Sequence, residues 1–335
     1  MTMTRLVLGP HRLFRLCIIA CIATVAASAG CSQYIDPNVP EPIRPFVEPE
    51  LGREYLLYRP SHYDREHSWP LIVVCHSSFP DSPNKQLRAW TEFAESHGFL
   101  VAAPELKGIK KSFPPKAAEQ IALQREDEAC ILATLQHVRA GHNISHDRVF
   151  LHGWAGGAYA ALHTGLRHAN LFRAVSLIQP RFKSGYLVDV DNAIDPYQPV
   201  YVNCSAADAF TGKHGRHFVE WAKSHGINLR EDSVGSTRST DTARVVNFYE
   251  HVIRKEPWIR IRALPTGGEN PLELQFGLRC SYTPTQYLWE FGEGKESPVA
   301  QPIHVFDRPG THRVAVTVKG PDNREDHREL TLQLP

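Results

Sequence analysis

The stretch Asp147–Ala158, with the sequence DRVFLHGWAGGA, decides the fold of this chain. Its first half contains the apolar run Val149–His152, which has the composition of a buried strand. Its second half is the glycine-rich turn Gly153–Gly157, which leads into a predicted helix. A strand, a tight turn and a helix in this order form the repeating unit of parallel sheets. The stretch therefore predicts an α/β protein.

The same alternation of strands and helices extends to both sides, over residues 52–256. Further strands are predicted at 54–59, 71–75, 100–103, 174–179 and 199–204, and helices at 85–96, 117–139 and 157–168. Uninterrupted apolar runs such as Leu71–Val74 are typical of parallel strands that are buried on both faces. We therefore expect a doubly wound, mostly parallel sheet in this part of the chain.

From residue 257 to residue 335 the pattern changes to that of an all-β domain. Apolar side chains alternate with polar ones in three runs, which contain Trp258, Ile259 and Ile261, then Leu272, Leu274 and Phe276, then Val314, Val316 and Val318. Turn-forming residues separate these runs. The predicted fold class is therefore α/β with a C-terminal all-β sandwich.

The first thirty residues have the layout of a signal peptide. Arg5, Arg12 and Arg15 precede the apolar stretch 16–27, and no acidic residue occurs before Asp36. The apolar stretch is shorter than the roughly 20 residues that a membrane-spanning helix needs. We therefore expect export of the chain and removal of residues 1–30.

The segment Ser28, Ala29, Gly30, Cys31 resembles the lipobox of bacterial lipoproteins, in which the cysteine thiol carries the lipid. Ser28 replaces the leucine that is usual in that family, and ordinary cleavage or an uncleaved anchor are the alternatives. The resemblance implies a lipid-anchored protein of the bacterial cell envelope, in the periplasm or on the cell surface. Five prolines in residues 31–51 predict an extended tether between the lipid and the folded body.

The charge balance excludes nucleic acid as a partner. The full chain has a formal net charge of +1, from 37 basic and 36 acidic residues. Three of the basic residues lie in 1–30, so that 34 basic and 36 acidic residues remain after processing. Neutralising phosphates requires a clear excess of Lys and Arg, which this chain does not have.

Four cysteines remain in the folded part, namely Cys75, Cys130, Cys204 and Cys280. An exported chain can pair its cysteines, and their spacing does not decide the matter. We expect four unpaired thiols, because three of them fall in apolar strand or helix segments, where a free cysteine packs as a small hydrophobe. No His or Cys spacing is that of a metal site, and we expect no metal or cofactor.

The turn Gly153–Gly157 occupies the strand-to-helix position at which α/β-hydrolases carry Gly-x-Ser-x-Gly. Residues 52–253 resemble secreted esterases of the polyhydroxyalkanoate depolymerase and feruloyl esterase type. In that resemblance Leu71–Ser78 leads to the oxyanion loop, and Asp147–Ala158 forms the nucleophile elbow. The resemblance implies an α/β-hydrolase fold with its catalytic residues on the loops that follow the strands.

The catalytic triad is the point at which this chain departs from that family. Ala155 stands where the nucleophilic serine belongs, and a methyl group cannot attack a carbonyl carbon. Asp208 follows a predicted strand as the family's acid does. No histidine occurs in the loop where the base belongs, and Arg238 is our candidate for that position. A guanidinium is always charged and cannot cycle protons at neutral pH.

The oxyanion loop is altered as well. His76 matches the family's histidine, but Ser77 replaces the glycine that usually follows it. The backbone N–H groups of Ser77 and Gly156 belong to the main chain and are therefore retained. We expect them to form an anion-accepting pocket that binds a carbonyl or carboxylate group without turning it over.

An active hydrolase would need another nucleophile. The candidates are Ser77, Ser78 or Cys75, beside His76 or His152. Cys75 and His76 are neighbours on a strand and point to opposite faces, and a thiol in an apolar strand has a raised pKa. We interpret His152 as a satisfied core histidine.

The C-terminal region contains YLWEFGEG at Tyr287–Gly294, PIHVF at Pro302–Phe306 and the tripeptide Pro-Gly-Thr at 309–311. These motifs resemble the PKD domain, which has aspartates where this chain has Glu290 and Glu293. Such modules usually act as spacers or as weak binders of polysaccharide or protein. We interpret the two glutamates as solvated turn residues rather than calcium ligands.

These observations leave three functional hypotheses. The first is a cell-envelope lipoprotein whose esterase-like domain is non-catalytic and serves in binding or scaffolding. The second is an active carboxylic-ester hydrolase with a non-standard nucleophile, and the third is a structural surface protein. The loss of both nucleophile and base favours the first, whose partners would be a polysaccharide, an ester-bearing ligand or an envelope protein.

Overall fold

The computed structural model describes residues 43–78, 81–108, 116–190, 193–205, 209–234 and 242–335. Its larger sheet has the strand order β1-β2-β4-β3-β5-β6-β7-β8. The strands are β1 (Arg44–Val47), β2 (Glu54–Tyr58), β3 (Trp69–Cys75), β4 (Leu100–Pro104), β5 (Ile144–Trp154), β6 (Ala174–Ile178), β7 (Pro199–Ser205) and β8 (Asn228–Val234). Strands β3 to β8 are parallel, so that their carboxyl ends lie at one edge of the sheet.

Helices cover both faces of this sheet, as the sequence predicts for a doubly wound fold. They are α1 (Pro83–Arg88), α2 (Thr91–His97), α3 (Ala117–Gly141), α4 (Ala158–Arg167), α5 (Ala209–Ser224) and α6 (Thr242–Lys255). Apolar residues of α3, α4 and α5 pack on one face, and those of α1, α2 and α6 pack on the other. Among the described residues, no helix is both long and apolar enough to cross a membrane.

Two features of the amino-terminal part differ from the sequence-based expectation. Residues 44–47, which we assigned to the tether, form the edge strand β1 and pair antiparallel with β2. The single helix predicted at 85–96 is two helices, because the chain turns at Ala89 and Trp90. This turn places the buried Trp90 indole against the imidazole of His152, with 4.9 Å between the ring centroids.

The predicted thiol state is confirmed, since all four cysteines of the described residues are unpaired. Cys75 and Cys130 are fully buried, and burial raises the pKa of the Cys130 thiol to about 11. These thiols pack as small apolar side chains.

The carboxyl-terminal region is the expected all-β sandwich. Its two antiparallel sheets have the strand orders β13-β10-β9 and β12-β11-β14-β15. The strands are β9 (Ile259–Pro265), β10 (Glu273–Cys280), β11 (Gln286–Glu290), β12 (Glu296–Ser297), β13 (Ile303–Val305), β14 (Gly310–Lys319) and β15 (Glu325–Leu334). Trp289, Phe291 and Phe306, which belong to the motifs that resemble the PKD domain, pack between the sheets together with Phe276.

A very short linker joins the two domains, because α6 ends at Lys255 and β9 begins at Ile259. The linker carbonyl groups of residues 255, 256 and 257 each accept a hydrogen bond from a different arginine. Arg324 donates to the carbonyl oxygen of Lys255 at 3.2 Å, and Arg173 donates to that of Glu256. Arg328 donates to the carbonyl oxygen of Pro257 at 3.2 Å. Arg173 belongs to the first domain and the other two belong to the second, so that both domains hold the linker.

Further contacts fix the sandwich against the α/β domain. The buried Arg260 of β9 donates from Nε to the carbonyl oxygen of Ala169 at 3.0 Å, and its Nη2 lies 3.2 Å from a carboxylate oxygen of Asp195. The guanidinium of Arg328 stacks over the ring of Tyr197 at 4.1 Å. The second domain is therefore packed directly on the first.

Candidate functional site

The nucleophile elbow is present in the backbone. Strand β5 ends at Trp154, a single 3₁₀ turn spans Ala155–Gly157, and α4 begins at Ala158. Ala155 has φ of +49°, in the left-handed region that costs an L residue roughly 1 to 2 kcal/mol. This is the strained turn that exposes the nucleophile in α/β-hydrolases, with a methyl group in its place.

The flanking glycines are explained by close backbone approaches. A Cβ on Gly153 would lie 2.7 Å from the Cα of Ala158, inside α4. A Cβ on Gly157 would lie 2.1 Å from the carbonyl oxygen of Cys75, at the end of β3. The elbow therefore depends on two positions without side chains, as the sequence predicts.

The expectation of an open anion-accepting pocket at Ser77 and Gly156 is wrong, because protein atoms occupy both donors. The Gly156 N–H donates to Oγ of Ser77 at 3.0 Å. The Ser77 N–H donates to Oδ2 of Asp81 at 2.6 Å. The same carboxylate accepts from Nε2 of Gln86 at 2.9 Å.

The sequence analysis missed Asp81, and this residue changes the electrostatics of the loop. Asp81 is buried, with 6% of its surface exposed. An oxyanion bound to the Ser77 N–H would lie close to this carboxylate, and the two negative charges would repel each other. The position of an acid four residues after Ser77 is the only sequence signal for this contact.

His76 is engaged through both ring nitrogens. Its Nε2 accepts from the Leu106 N–H at 3.0 Å, so that Nδ1 carries the proton and donates to the carbonyl oxygen of Ser77 at 2.8 Å. The side chain is buried. His76 therefore holds the end of β3 against the loop that follows β4.

His152 is part of a buried hydrogen-bonded chain. Its Nδ1 lies 2.8 Å from Oγ of Ser176, which lies 2.6 Å from the hydroxyl oxygen of Tyr249. The Tyr249 hydroxyl donates to the carbonyl oxygen of Leu151 at 2.8 Å. Because the Tyr249 proton is used in the bond to Leu151, the Ser176 hydroxyl donates to the Tyr249 oxygen. His152 therefore carries a proton on Nδ1 and donates it to Oγ of Ser176. Burial lowers the pKa of His152 to about 3, so that the imidazole is neutral at physiological pH.

The surroundings of Cys75, one of the three candidate nucleophiles, make its thiol unreactive. The Cys75 thiol is fully buried, and burial raises its pKa well above the ordinary value. A thiol with a raised pKa supplies almost no thiolate for attack at neutral pH.

The predicted acid and base positions, Asp208 and Arg238, lie outside the described residues. The strands that precede them are described. Strands β7 and β8 are parallel to β5 and end at the same edge of the sheet, at Ser205 and Val234.

The same edge holds buried polar groups that the sequence analysis missed. Trp154, Ile178 and Asn203 lie in one row across β5, β6 and β7. Within the part of the chain that the structure describes, both polar atoms of the fully buried Asn203 side chain lack a hydrogen-bond partner, and so does Nε1 of Trp154. This edge is where α/β folds bind their ligands, and it has unused hydrogen-bonding capacity.

No metal site is found in the part of the chain that the structure describes, where no three His, Cys, Asp or Glu side chains cluster as metal ligands would.

Comparison with known proteins identifies a PKD domain at residues 258–330. Over 46 residues the chain is 41% identical to the collagenase ColQ1 of Bacillus cereus (strain Q1). That match covers 14% of this chain and spans only 5% of the collagenase.

The solved structures that resemble the chain are α/β-hydrolases at low sequence identity. A Bacteroides ovatus protein, whose structure is described as that of a dipeptidyl aminopeptidase IV, is 14% identical with a TM-score of 0.50. The match covers 63% of this chain and 36% of that one. A ferulic acid esterase of Anaeromyces mucronatus is 15% identical with a TM-score of 0.49, covering 65% of this chain and 90% of the esterase. At such identities the likeness is one of fold.

The Gly157 contact predicts a large difference between two glycine substitutions. We expect Gly157→Ala to destabilise the fold by about 3 kcal/mol or more, because its methyl group would overlap the Cys75 carbonyl. Gly141→Ala, at the end of α3, meets nothing within 4 Å and should change stability by less than about 0.5 kcal/mol. Urea unfolding measures both, and equal stabilities for the two variants would contradict this account of the elbow.

The burial of His152 predicts a pH effect on stability. The unfolded chain takes up a proton as the pH falls below the ordinary histidine pKa of 6.5, whereas folded His152, with a pKa of about 3, does not. Stability should therefore fall with falling pH between about 6.5 and 3, by up to about 1.4 kcal/mol per pH unit from this group.

His152→Asn removes the titrating group and keeps a donor for Ser176. We expect its free energy of unfolding to fall less steeply than that of the wild type between pH 6.5 and pH 4.5. His217→Asn, at an exposed position on α5 with no ion pair among the described residues, serves as the control and should follow the wild type. Parallel curves for wild type and His152→Asn would show that His152 titrates normally in the fold.

Proposed function

We propose that this chain is an exported cell-envelope lipoprotein whose esterase-like domain does not hydrolyse esters and serves in binding or scaffolding, together with its PKD domain. One observation carries the proposal. The elbow backbone is kept in its strained form, but Ala155 has no nucleophilic atom, and Ser77 and Asp81 occupy the donors that would stabilise an oxyanion.

The histidines near the elbow support the loss of hydrolysis. Among the described residues, each candidate base already uses its ring nitrogen in a buried structural bond. General base assistance is typically worth about 10² to 10⁴-fold in rate. A site without nucleophile, base and open oxyanion donors retains none of the main contributions to acyl transfer.

A binding role is supported by what the edge retains. In a row beside the elbow, Trp154 and Asn203 have buried polar atoms that have no partner among the described residues. The PKD domain is of a kind that usually acts as a spacer or as a weak binder. The partners that we propose are a polysaccharide, an ester-bearing ligand or an envelope protein.

The loss of hydrolysis is tested with the purified mature protein, short-chain aryl esters and a serine-reactive phosphonate. We expect no turnover above the buffer rate and no covalent labelling. Turnover with stoichiometric labelling of Ser77 or Ser78 would establish the alternative, an active hydrolase with a non-standard nucleophile.

A series of substitutions that restore the nucleophile, the base and the oxyanion donors tests why the domain does not hydrolyse esters. Ala155→Ser alone should be inactive, because the new hydroxyl has no base. The double variant Ala155→Ser/Arg238→His should remain weak, because the oxyanion donors are occupied. Adding Ser77→Gly and Asp81→Ala removes the acceptors that occupy the N–H groups of Gly156 and Ser77. This should raise kcat at least about 100-fold over the double variant, since one oxyanion donor is worth roughly 10² to 10³. Equal activity of the double and quadruple variants would show that the Ser77 and Asp81 contacts do not obstruct the site.

Lipid anchoring rests on the sequence from Arg5 to Cys31, which lies outside the described residues. We expect the full chain, expressed in a bacterium, to incorporate radiolabelled palmitate and to sediment with membranes. Cys31→Ser should abolish the label, whereas Cys280→Ser should keep it. Membrane recovery of Cys31→Ser without label would indicate an uncleaved anchor instead.

A further inference from the structure

A groove lies between helix α5 and the segment that follows strand β6. Its cavity has a volume of about 520 Å³. One wall is formed by residues 182–184, and the other is formed by His217, Glu220 and Trp221 of α5. These three helix residues share one face, because positions three or four apart are neighbours on a helix surface. We call this cavity the α5 groove.

Both walls of the α5 groove are fixed by contacts within the protein. The ring of Phe182 packs edge-on against that of Phe218, with 5.3 Å between the centroids. Nδ1 of His214, in α5, lies 2.8 Å from the carbonyl oxygen of Phe182. The half-buried Trp221 also lies against Phe182, at 5.4 Å between the ring centroids, so that two aromatic rings close the bottom of the groove. The groove is therefore formed before a ligand binds.

Three polar side chains that line the α5 groove have bonding capacity left. Among the described residues, the side chains of Lys183, His217 and Glu220 take part in no hydrogen bond or ion pair. The Lys183 ammonium lies 5.0 Å from the ring centroid of Tyr186, a contact that uses none of its N–H donors. Lys183 and Glu220 belong to opposite walls and do not pair with each other. A donor and an acceptor thus face an open space between them.

The larger cavity of the same domain lacks this property. It has a volume of about 630 Å³ and lies at the amino-terminal ends of β3 and β4, beside Trp69. Its acidic groups are already paired, since Asp64 accepts from the His67 N–H and Glu250 accepts from Arg254. A ligand there would have to replace bonds within the protein, whereas a ligand in the α5 groove meets unused donors and acceptors.

The chemistry of the lining selects a neutral ligand with hydroxyl groups. The charges of Lys183 and Glu220 cancel, so that the α5 groove does not select a charged ligand. A sugar ring carries hydroxyl groups around its rim and apolar C–H groups on its faces. Its rim can bond to both walls while one face lies against the aromatic rings. The ammonium and carboxylate of a free amino acid are attached to one carbon, which suits charges side by side rather than on opposite walls.

We propose that the α5 groove binds a neutral polysaccharide, with a sugar face against Trp221 and sugar hydroxyl groups bonded to Glu220 and Lys183. The carboxylate accepts from a hydroxyl group, and the ammonium donates to one. Chains of β-linked glucose fit this site, because every ring substituent is equatorial and both ring faces remain apolar. The proposal rests on the proposed binding function and names polysaccharide as its partner.

The proposal is tested by calorimetry on the mature protein with cellohexaose as the probe. We expect a Kd below about 5 mM that changes less than about twofold as salt is added, because the ligand is uncharged. Glu220→Gln should weaken binding at least about fivefold, since hydrogen bonds to a charged acceptor are the stronger ones. Glu119→Gln removes the same charge from an exposed position on α3 and should bind as the wild type does.

Tryptophan fluorescence supplies a second readout. The chain has six tryptophans, of which four are buried, namely Trp69, Trp90, Trp258 and Trp289. Trp154 and Trp221 are partly exposed. Cellohexaose should shift the emission of the wild type, and Trp221→Leu should lose this shift and bind at least about fivefold more weakly. Glu220→Gln keeps the test valid if Trp221→Leu does not fold, because Glu220 is exposed.

The outcomes separate this proposal from the proposed function. Loss of binding in Trp154→Leu but not in Trp221→Leu or Glu220→Gln would place the sugar at the elbow, which overturns the α5 groove and leaves the binding function standing. No detectable binding of cellohexaose would overturn the α5 groove as a sugar site, while the ester assay still measures the loss of hydrolysis. Equal binding of the zwitterionic dipeptide glycylphenylalanine would overturn the assignment to a sugar.

Discussion

The contact between Gly157 and the carbonyl oxygen of Cys75 is the constraint on which the rest of the first domain depends. It brings the start of α4 against the end of β3, closer than any side chain permits. Ala155 must then adopt its left-handed conformation, because the chain has to reverse within one turn between β5 and α4. The strain at this residue is therefore a requirement of the turn between β5 and α4.

The same constraint explains why the N–H of Gly156 is hydrogen-bonded within the protein. With α4 fixed on the end of β3, the N–H of Gly156 necessarily faces the loop that begins at Ser77. Without a substrate oxygen these buried donors would cost free energy if left unpaired. The Ser77 hydroxyl and the Asp81 carboxylate supply the missing acceptors. The N–H groups of Gly156 and Ser77 are therefore both satisfied within the protein.

The sequence predicts the parts of this molecule that rest on local patterns. The order of strands and helices, the glycines of the elbow and the aromatic core of the sandwich follow from periodicity and from backbone sterics. Edge strand β1 was missed because proline-rich composition indicates an extended chain and does not indicate its pairing. The Asp81 contact and the unpaired Asn203 were missed because both depend on which loops meet, which no local pattern encodes.

The junction between the domains shows how a helix end can organise a larger structure. The last carbonyl groups of α6 have no partner within the helix and must be satisfied elsewhere. Arg173 reaches them from the first domain, and Arg324 and Arg328 reach the following carbonyls from the sandwich. Positive side chains are also favoured there by the helix dipole. The three arginines thus supply hydrogen-bond donors to the carbonyl groups at the end of α6 and in the linker. Because they come from both domains, the same bonds hold the two domains together.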